Sequence, residues 1–230
     1  MLDKSDIIIL DDAVPLALQD LYLREVSHRY RLWQDYPAEY SAGEGEYIGK
    51  YCKSEQFREI PSSALIALGY RNTSGEEDIV SQEYYNVGIH LLEMFKYQTG
   101  MNVNRILRMK INKQIRHIDP TYDENCCNNI HTDFDIPHKT LLYYLNDSDG
   151  DTMIFNERFK RPPIPSNDPE ERAIQLENYI KDREVNCTLA ERVTPKKGRF
   201  VCFDGLRYHA PSNPIKHDSR YIFNINFISE

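Results

Sequence analysis

Residues 103–112, Val-Asn-Arg-Ile-Leu-Arg-Met-Lys-Ile-Asn, mark the point where the hydrophobic pattern of the chain changes. From here on, apolar residues such as Leu107, Met109 and Ile111 recur at every second position, as in a β-strand with one polar face. Before this stretch the apolar residues recur with a period near that of a helix. The change predicts helices in the first hundred residues and strands in the rest.

The first hundred residues predict one short strand and two helices. The strand covers the β-favouring run at 7–10, and Asp12 and Pro15 signal the start of a helix directly after it. The second helix covers 82–99, and Gly100 is placed to end it in a left-handed conformation.

Five further segments of the second half have the composition of strands, in chain order 140–145, 152–155, 187–193, 199–203 and 221–227. The turn-rich run 146–150 between the first two predicts a hairpin. The excursion 158–186 contains three prolines and is too long for an ordinary loop. We expect it to form a lid beside the mouth of the sheet, with a peripheral insertion as the alternative.

Helices followed by many short strands are typical of an α+β fold whose sheet is curled into a barrel or jelly roll. A chain of 230 residues is long enough to bury a substantial core, so we treat 1–230 as a single domain. Such a fold leaves an open mouth in which ligands bind.

The composition argues against two classes of partner. A net charge of −8 disfavours nucleic acid, whose binding depends on clustered Lys and Arg, and it disfavours anionic membrane surfaces. No apolar run near the start has the length of a signal peptide or a membrane span, so we expect a cytoplasmic protein. The five cysteines are an odd number without a framework spacing, which fits a reducing compartment. The adjacent Cys126 and Cys127 predict ordinary packing.

Two His-x-Asp pairs could supply part of a metal site. Iron(II) sites of the facial-triad type use two imidazoles and one carboxylate, and residues i and i+2 of an extended segment point the same way. In a chain with 7 His and 36 acidic residues, about one His-x-acid match arises by chance. We favour His131-Thr-Asp133, which comes just before the most strand-like segment, over His117-Ile-Asp119, which is followed by a turn-like Pro120.

The third metal ligand has to come from a distant segment. His209 follows the strand predicted at 199–203 and is the best candidate. Its rivals are His217, in a polar loop, and His138, which follows Pro137 close to the first pair.

The last predicted strand begins with Arg220, which shares one face with Asn224 and Asn226. A guanidinium in the core needs an anionic partner, because an unpaired buried charge is costly. Its planar fork also matches a carboxylate in bidentate geometry. The pattern favours an anionic ligand inside the sheet, and a structural Arg–Glu pair is the alternative.

The order of these metal-ligand candidates, strands and Arg220 along the chain resembles that of the Fe(II)/2-oxoglutarate dioxygenase superfamily, and within it the prolyl 4-hydroxylase-like branch. The resemblance covers 103–230, whereas the N-terminal segment is similar only in outline. It rests on the His131–Asp133 pair, the run 141–146, the turn 195–199, His209 and the run 220–224.

The resemblance implies a double-stranded β-helix over 103–230, with the strand and supporting helices of 1–102 packed on the outside. It also implies that the metal ligands for Fe(II) are His131, Asp133 and His209.

The same resemblance assigns the cosubstrate contacts. Arg220 matches the residue that binds the distal carboxylate of 2-oxoglutarate, and Tyr144 matches a strand tyrosine that hydrogen-bonds this carboxylate. Tyr143 should then face the opposite way, and Asn224 is a candidate neighbour of the cosubstrate. Collagen-type members of the family have Lys where this chain has Arg220.

The implied activity is hydroxylation coupled to the conversion of 2-oxoglutarate to succinate, with ascorbate as an accessory reductant. Peptidyl proline leads as the substrate by analogy alone, other proteins, peptides and small molecules stay open, and so do nucleobases, which the net charge disfavours. Two alternatives stay open. One is a β-helix binding or sensor module that has lost catalysis, and the other is a cupin-type metal protein, which leaves Arg220 unexplained.

Overall fold

The computed structural model describes residues 6–27, 34–36, 52–60, 64–73, 76–160, 168–171, 174 and 185–229. Most of the lid predicted at 158–186 lies outside the described residues, so that hypothesis stays a prediction. Within the described ranges the elements follow in the order β1 (Ile8–Leu10), α1 (Leu16–Ser27), β2 (Gln34–Tyr36), β3 (Cys52–Lys53), β4 (Arg58–Glu59), β5 (Ala64–Thr73), β6 (Glu76–Ile79), α2 (Gln82–Thr99), β7 (Arg105–Ile115), β8 (Cys126–Cys127), β9 (Lys139–Tyr144), β10 (Thr152–Arg158), β11 (Val185–Asn186), β12 (Leu189–Val193), β13 (Phe200–Asp204), β14 (Arg207–Pro211) and β15 (Ser219–Ile228).

Two antiparallel sheets make up most of the described chain. The main sheet has the strand order β1-β13-β9-β15-β7-β5-β2, with β6 paired to β5. The smaller sheet has the order β12-β10-β14. Two pairs of two-residue strands, β3 with β11 and β4 with β8, are parallel. The fold is therefore mostly antiparallel β-structure with a jelly-roll-type core.

The alternation seen in the sequence separates the two faces of the main sheet. The apolar positions of β7 and β15, among them Met109, Ile111 and Phe223, are fully buried in one cluster with Leu91 and Phe95 of α2. The polar positions of the same strands line a cavity that also includes residues of β10 and β14 in the smaller sheet. The helix thus covers one face, and the other face is free to carry a site.

The helix predicted at 82–99 is confirmed with its stop signal. Ser81 caps its start by accepting a hydrogen bond from the backbone N–H of Tyr84. Gly100 ends it with a φ of 70° and donates its N–H to the carbonyl of Lys96. No helix in the described ranges is long and apolar enough to cross a membrane.

The predicted hairpin between 140–145 and 152–155 is wrong. Strand β9 pairs on its two edges with β13 and β15 of the main sheet, whereas β10 pairs with β12 and β14 of the smaller sheet. Strand β9 is buried on both faces, which suits a central position, and with both edges occupied it cannot also pair with β10. The turn between them carries the chain from one sheet to the other.

Several strands were missed by the sequence interpretation, and two of them bear on the site. Strand β5 begins with a continuous apolar run that has no clear period of two, and it pairs with β7 in the main sheet. Strand β14 contains His209, which the sequence had placed after a strand rather than within one.

The expectation that the cysteines are reduced holds for three of those described and fails for one. Cys126, Cys127 and Cys202 are free and buried, whereas Cys187 is disulfide-bonded. Cys187 directly follows β11, whose parallel pairing with β3 joins segments that are far apart in the sequence. Sequence spacing alone could not show this approach.

Gly88 lies where α2 crosses the main sheet. A Cβ atom at this position would lie 2.5 Å from Sδ of Met109 and 3.0 Å from Cε1 of Phe223. We expect Gly88→Val to lower the free energy of unfolding by about 1–3 kcal/mol through overpacking. Asn86→Val, on the exposed side of the same helix, is the matched control and should change it by less than about 0.5 kcal/mol. Urea denaturation measures both, and equal stability of the two variants would contradict the close helix–sheet contact.

Candidate metal centre and anion-binding cavity

Three side chains able to bind a metal meet at the edge of the smaller sheet. His131 forms an isolated antiparallel bridge with His209 of β14, through backbone hydrogen bonds of 3.0 and 2.9 Å. Asp133 follows two residues later, and the ligand atoms of the three side chains all lie within 4.8 Å of one another. In the described part of the chain, no other group of three His, Cys, Asp or Glu has this spacing. The structure thus brings together the three residues that the sequence selected.

Both histidines are held neutral with one ring nitrogen free. Burial, and then the neighbouring His131 ring, lower the pKa of His209 to about 3, and burial also lowers the pKa of His131. Nδ1 of His131 contacts the carbonyl of Asn129 at 2.8 Å, and Nδ1 of His209 contacts the carbonyl of Arg207 at 3.2 Å. A carbonyl can only accept, so each Nδ1 carries the proton and each Nε2 keeps its lone pair for a metal.

The Asp133 carboxylate is fully buried and ionised. Burial opposes its charge, yet Lys110 and Arg108 hold the pKa of Asp133 well below its usual range. Nη2 of Arg108 lies 2.5 Å from Oδ1, and the side-chain amides of Asn224 and Asn226 donate to Oδ2 at 3.2 and 3.0 Å. The carboxylate is therefore fixed as an anion and oriented from several sides.

Lys110 is the second cation of this neighbourhood. Its Nζ lies 3.6 Å from Oδ1 of Asp133, and its side chain is only 6% exposed. Burial, and then the charge of Arg108, lower the pKa of Lys110 to about 8. This value is still above neutrality, so the ammonium group is charged at pH 7.

The rival metal ligands of the sequence analysis lie elsewhere. His117 stacks on the ring of Tyr122, and Asp119 accepts hydrogen bonds from Thr121. His217 pairs with Asp149 on the surface at 2.9 Å. These residues stabilise loops.

His138 lies closer to the triad but acts on it only indirectly. Its Nδ1 bonds the carbonyl of Ile136 at 2.7 Å, and its Nε2 lies 3.4 Å from the hydroxyl of Thr140. That hydroxyl in turn donates to Oδ2 of Asp133 at 3.4 Å. His138 is therefore a neighbour of the site and not one of its three clustered ligands.

A cleft that is partly open to solvent runs from the histidines along the inner face of the main sheet. Its polar wall is built by alternate residues of β7 and β15, and its apolar lining includes Ile66, Leu142 and Ile222. Its polar lining residues on these strands are Lys110, Asn112, Gln114, Arg220 and Asn224.

Arg220 lies at the other end of this wall, opposite Gln114 in the strand register. It is 1% exposed and donates hydrogen bonds to the side chains of Gln114 and Thr152. Its Nε has no hydrogen-bond partner, and within the described residues no carboxylate forms an ion pair with it. The alternative of a structural Arg–Glu pair therefore has no support in the described chain. A buried guanidinium in this state is suited to an anionic ligand.

Tyr144 belongs to the same group of side chains. Its hydroxyl lies 2.7 Å from the hydroxyl of Thr152, and its ring centre is 5.7 Å from the guanidinium carbon of Arg220. Tyr143 points to the other face and packs on Phe200 in the cluster that α2 covers. The opposite orientation of the two tyrosines is as predicted.

Asn224 contacts the carboxylate of Asp133. Its amide nitrogen donates to Asp133, and its side-chain oxygen is buried without a partner. It lines the cavity near the metal ligands, opposite Lys110 in the strand register. Direct contact with a cosubstrate stays a prediction.

Four polar residues of the site escaped the sequence interpretation: Arg108, Lys110, Gln114 and Thr152. The alternation on β7 was recognised, but its polar face was not assigned to the interior. The sequence signal that could have identified them is Arg220 on β15, the strand that pairs with β7. Side chains on the same face of two paired strands lie side by side, so the polar face of β7 beside a buried Arg is itself buried.

No protein-family model matches the sequence, and no curated protein is significantly similar to it. Solved structures are similar in fold. An oxidoreductase of the 2OG-Fe(II) oxygenase family from Burkholderia pseudomallei matches with a TM-score of 0.54 and 12% identity, over 97% of this chain and 85% of that chain.

A second solved structure gives a similar result. The epimerase SnoN, in complex with Fe3+, alpha ketoglutarate and nogalamycin RO, matches with a TM-score of 0.56 and 11% identity, over 97% of this chain and 78% of that chain. The chain has the fold of 2OG-Fe(II) oxygenases. A prolyl-4-hydroxylase from Pseudomonas putida matches less closely, with a TM-score of 0.47 and 13% identity over 96% of this chain and 92% of that chain.

The metal site can be tested by removing its proposed ligands. We expect His131→Ala and His209→Ala each to abolish tight binding of Fe(II) or Mn(II), because two ligands do not replace a facial triad. His117→Ala is the control and should bind metal like the unmodified protein. Anaerobic calorimetry measures the affinities. Loss of binding in His117→Ala with retention in the other two variants would show that the wrong His-x-Asp pair had been chosen.

The anion-binding end of the cavity can be tested separately in the Mn(II)-loaded protein. Arg220→Ala should weaken 2-oxoglutarate binding by more than tenfold, because loss of a buried charged contact costs on the order of 2–5 kcal/mol. Tyr144→Phe should weaken it less, and Mn(II) affinity should persist in both. Arg116→Ala, which removes an exposed guanidinium, is the control. Near-normal affinity for 2-oxoglutarate in Arg220→Ala would exclude Arg220 as the carboxylate-binding residue.

Proposed function

We propose that this protein is an Fe(II)- and 2-oxoglutarate-dependent oxygenase that hydroxylates its substrate. One observation carries the proposal. The two histidines of a His/Asp/His cluster and a buried guanidinium, which has no carboxylate partner in the described chain, line one cavity. In this proposal the core at 103–230 is a double-stranded β-helix, the N-terminal helices pack on its outside, and β1 and β5 extend its main sheet.

His131, Asp133 and His209 would hold the iron. Two neutral imidazoles and one carboxylate are the donor set of non-haem iron(II) oxygenases, with the remaining positions open. Bound iron would supply oxygen activation coupled to oxidative decarboxylation of 2-oxoglutarate to succinate. The protein fixes the tautomers of both histidines through backbone carbonyls, which keeps Nε2 unprotonated in each ring.

Arg220 would bind the distal carboxylate of 2-oxoglutarate. Gln114 and Thr152 hold the guanidinium in place, and Tyr144 reaches the same group through Thr152. In a site shielded from water, this charged contact is stronger and more directional than it would be at the surface. Asn224 would lie beside the cosubstrate at the metal end of the cavity.

The substrate would enter through the open side of the cleft. Peptidyl proline is the first candidate, because the order of motifs resembles the prolyl 4-hydroxylase-like branch, and a small molecule is the second. SnoN, which has this fold, is an epimerase, so the fold alone does not select hydroxylation. Ascorbate would serve only to keep the iron reduced.

Two other functions explain less of the site. A binding module without catalysis does not require the cluster and the unpaired Arg220 to share a cavity. A cupin-type metal protein accounts for the histidines and Asp133 but leaves the buried Arg220 without a role.

Conversion of 2-oxoglutarate to succinate tests the proposal without knowledge of the substrate. We expect slow, Fe(II)-dependent and oxygen-dependent formation of succinate, stimulated by the correct substrate. Asp133→Asn keeps the shape of the side chain but removes the anionic ligand, so it should lower the rate by more than about 100-fold. Asp135→Asn, two residues away and exposed, is the matched control. Metal binding without any succinate, across peptide and small-molecule panels, would favour the binding module.

A further inference from the structure

Lys110 is a buried cation that the proposed mechanism has not yet used. It lies on the inner face of β7, its side chain is 6% exposed, and it lines the cavity. Buried ammonium groups are rare unless they meet an anion, because the cost of removing the charge from water is high. Its position therefore has to be explained by a partner.

Asp133 does not fully supply that partner. Its Oδ1 lies 3.6 Å from Nζ of Lys110, which is long for a hydrogen bond, and the same oxygen already receives Arg108 at 2.5 Å. Oδ2 receives the amides of Asn224 and Asn226. A metal bound by Asp133 would take a further share of this carboxylate, so the three N–H donors of Lys110 would remain poorly satisfied.

The side chains around the cavity carry an excess of positive charge. Arg108, Lys110 and Arg220 are the cations of this region. Among the described residues, Asp133 forms ion pairs with the first two, Asp151 acts on Arg220 only through its charge, and no acidic side chain lines the cavity. A divalent metal would increase the positive charge further. A dianionic ligand fits this field, with one charge at each end.

Lys110 and Arg220 stand at opposite ends of one wall. Arg220 pairs with Gln114 in the strand register, and Lys110 pairs with Asn224 beside the metal ligands. The four residue steps from Lys110 to Gln114 span about 13 Å of extended strand. Their long side chains can converge on a short dicarboxylate that lies between them.

We propose that Lys110 is the second carboxylate-binding residue of the cavity, and that it binds the carboxylate of the keto-acid end of 2-oxoglutarate. The proposal rests on the proposed function and adds a residue to it. Arg220 would hold the distal carboxylate, and Lys110 would hold the carboxylate that lies next to the metal. A role restricted to neutralising Asp133 is less suitable for Lys110, because Arg108 already forms the close ion pair there.

Binding measurements with two ligands separate the two ends of the cavity. The Mn(II)-loaded protein is titrated without oxygen with 2-oxoglutarate and with 2-oxobutanoate, a keto acid that lacks the distal carboxylate. Lys110→Met should weaken both ligands by a similar factor, about tenfold or more, because a charged hydrogen bond is lost in each case. Arg220→Met should weaken 2-oxoglutarate but leave 2-oxobutanoate unchanged.

Two further variants control for charge and folding. Lys113→Met removes a lysine from the other face of the same strand, where Nζ lies over the ring of Tyr221, and should bind both ligands normally. Lys110→Arg keeps the cation and should restore most of the affinity. If Lys110→Met does not fold, Lys110→Gln replaces it with the same expectation.

The outcomes are distinguishable. Normal binding of both ligands by folded, Mn(II)-loaded Lys110→Met would overturn the proposal. Loss of Mn(II) affinity in folded Lys110→Met would also overturn it, since Lys110 would then act only through Asp133. Failure of the unmodified Mn(II)-loaded protein to bind 2-oxoglutarate would instead refute the proposed function itself.

Discussion

The buried carboxylate of Asp133 is the constraint on which the interior of this protein depends. An isolated ion at this depth would cost several kcal/mol in lost hydration, so the fold has to supply compensating charge and hydrogen bonds. Arg108 and Lys110 of β7 supply the charge, and Asn224 and Asn226 of β15 supply amide donors. Because these residues occupy alternate positions on two paired strands, the polar contacts support the same register as the apolar ones.

One face of the main sheet therefore stabilises the fold, and the other face carries the candidate site. The face covered by α2 is a continuous apolar cluster that includes Phe223, Ile225 and Phe227. The opposite face places cations, amides and a carboxylate around a cavity, an arrangement that gains less stability than apolar packing of the same volume. The close contact of Gly88 with Met109 and Phe223 shows how tightly the supporting face is packed.

Much of this arrangement could be predicted from local patterns. The bounds of α2 followed from its period and from Gly100, and the choice of His131 and Asp133 over the rival His-x-Asp pair followed from strand context. Arg220 stood out because a cation at the start of a core strand needs an anion. These features depend on residues that are close together in the sequence.

Other features depend on which distant segments meet, and local patterns do not contain that information. The assumed pairing of β9 with β10 was wrong because both edges of β9 are occupied by later strands. Strand β5 lacked a clear alternation, so the partner of β7 was missed. Without that pairing, the sequence did not show whether the polar face of β7 faces the interior or the solvent. Lys110 was therefore not recognised as a residue of the interior.

The central claim is that the cluster of three ligands and the buried Arg220 serve one metal–cosubstrate complex. A crystal structure of the protein grown without oxygen, with Mn(II) and 2-oxoglutarate, tests it most directly. The account predicts Mn(II) bound by His131, Asp133 and His209, with one carboxylate of 2-oxoglutarate against the guanidinium of Arg220. Electron density for the metal at another site, or for 2-oxoglutarate away from Arg220, would contradict it.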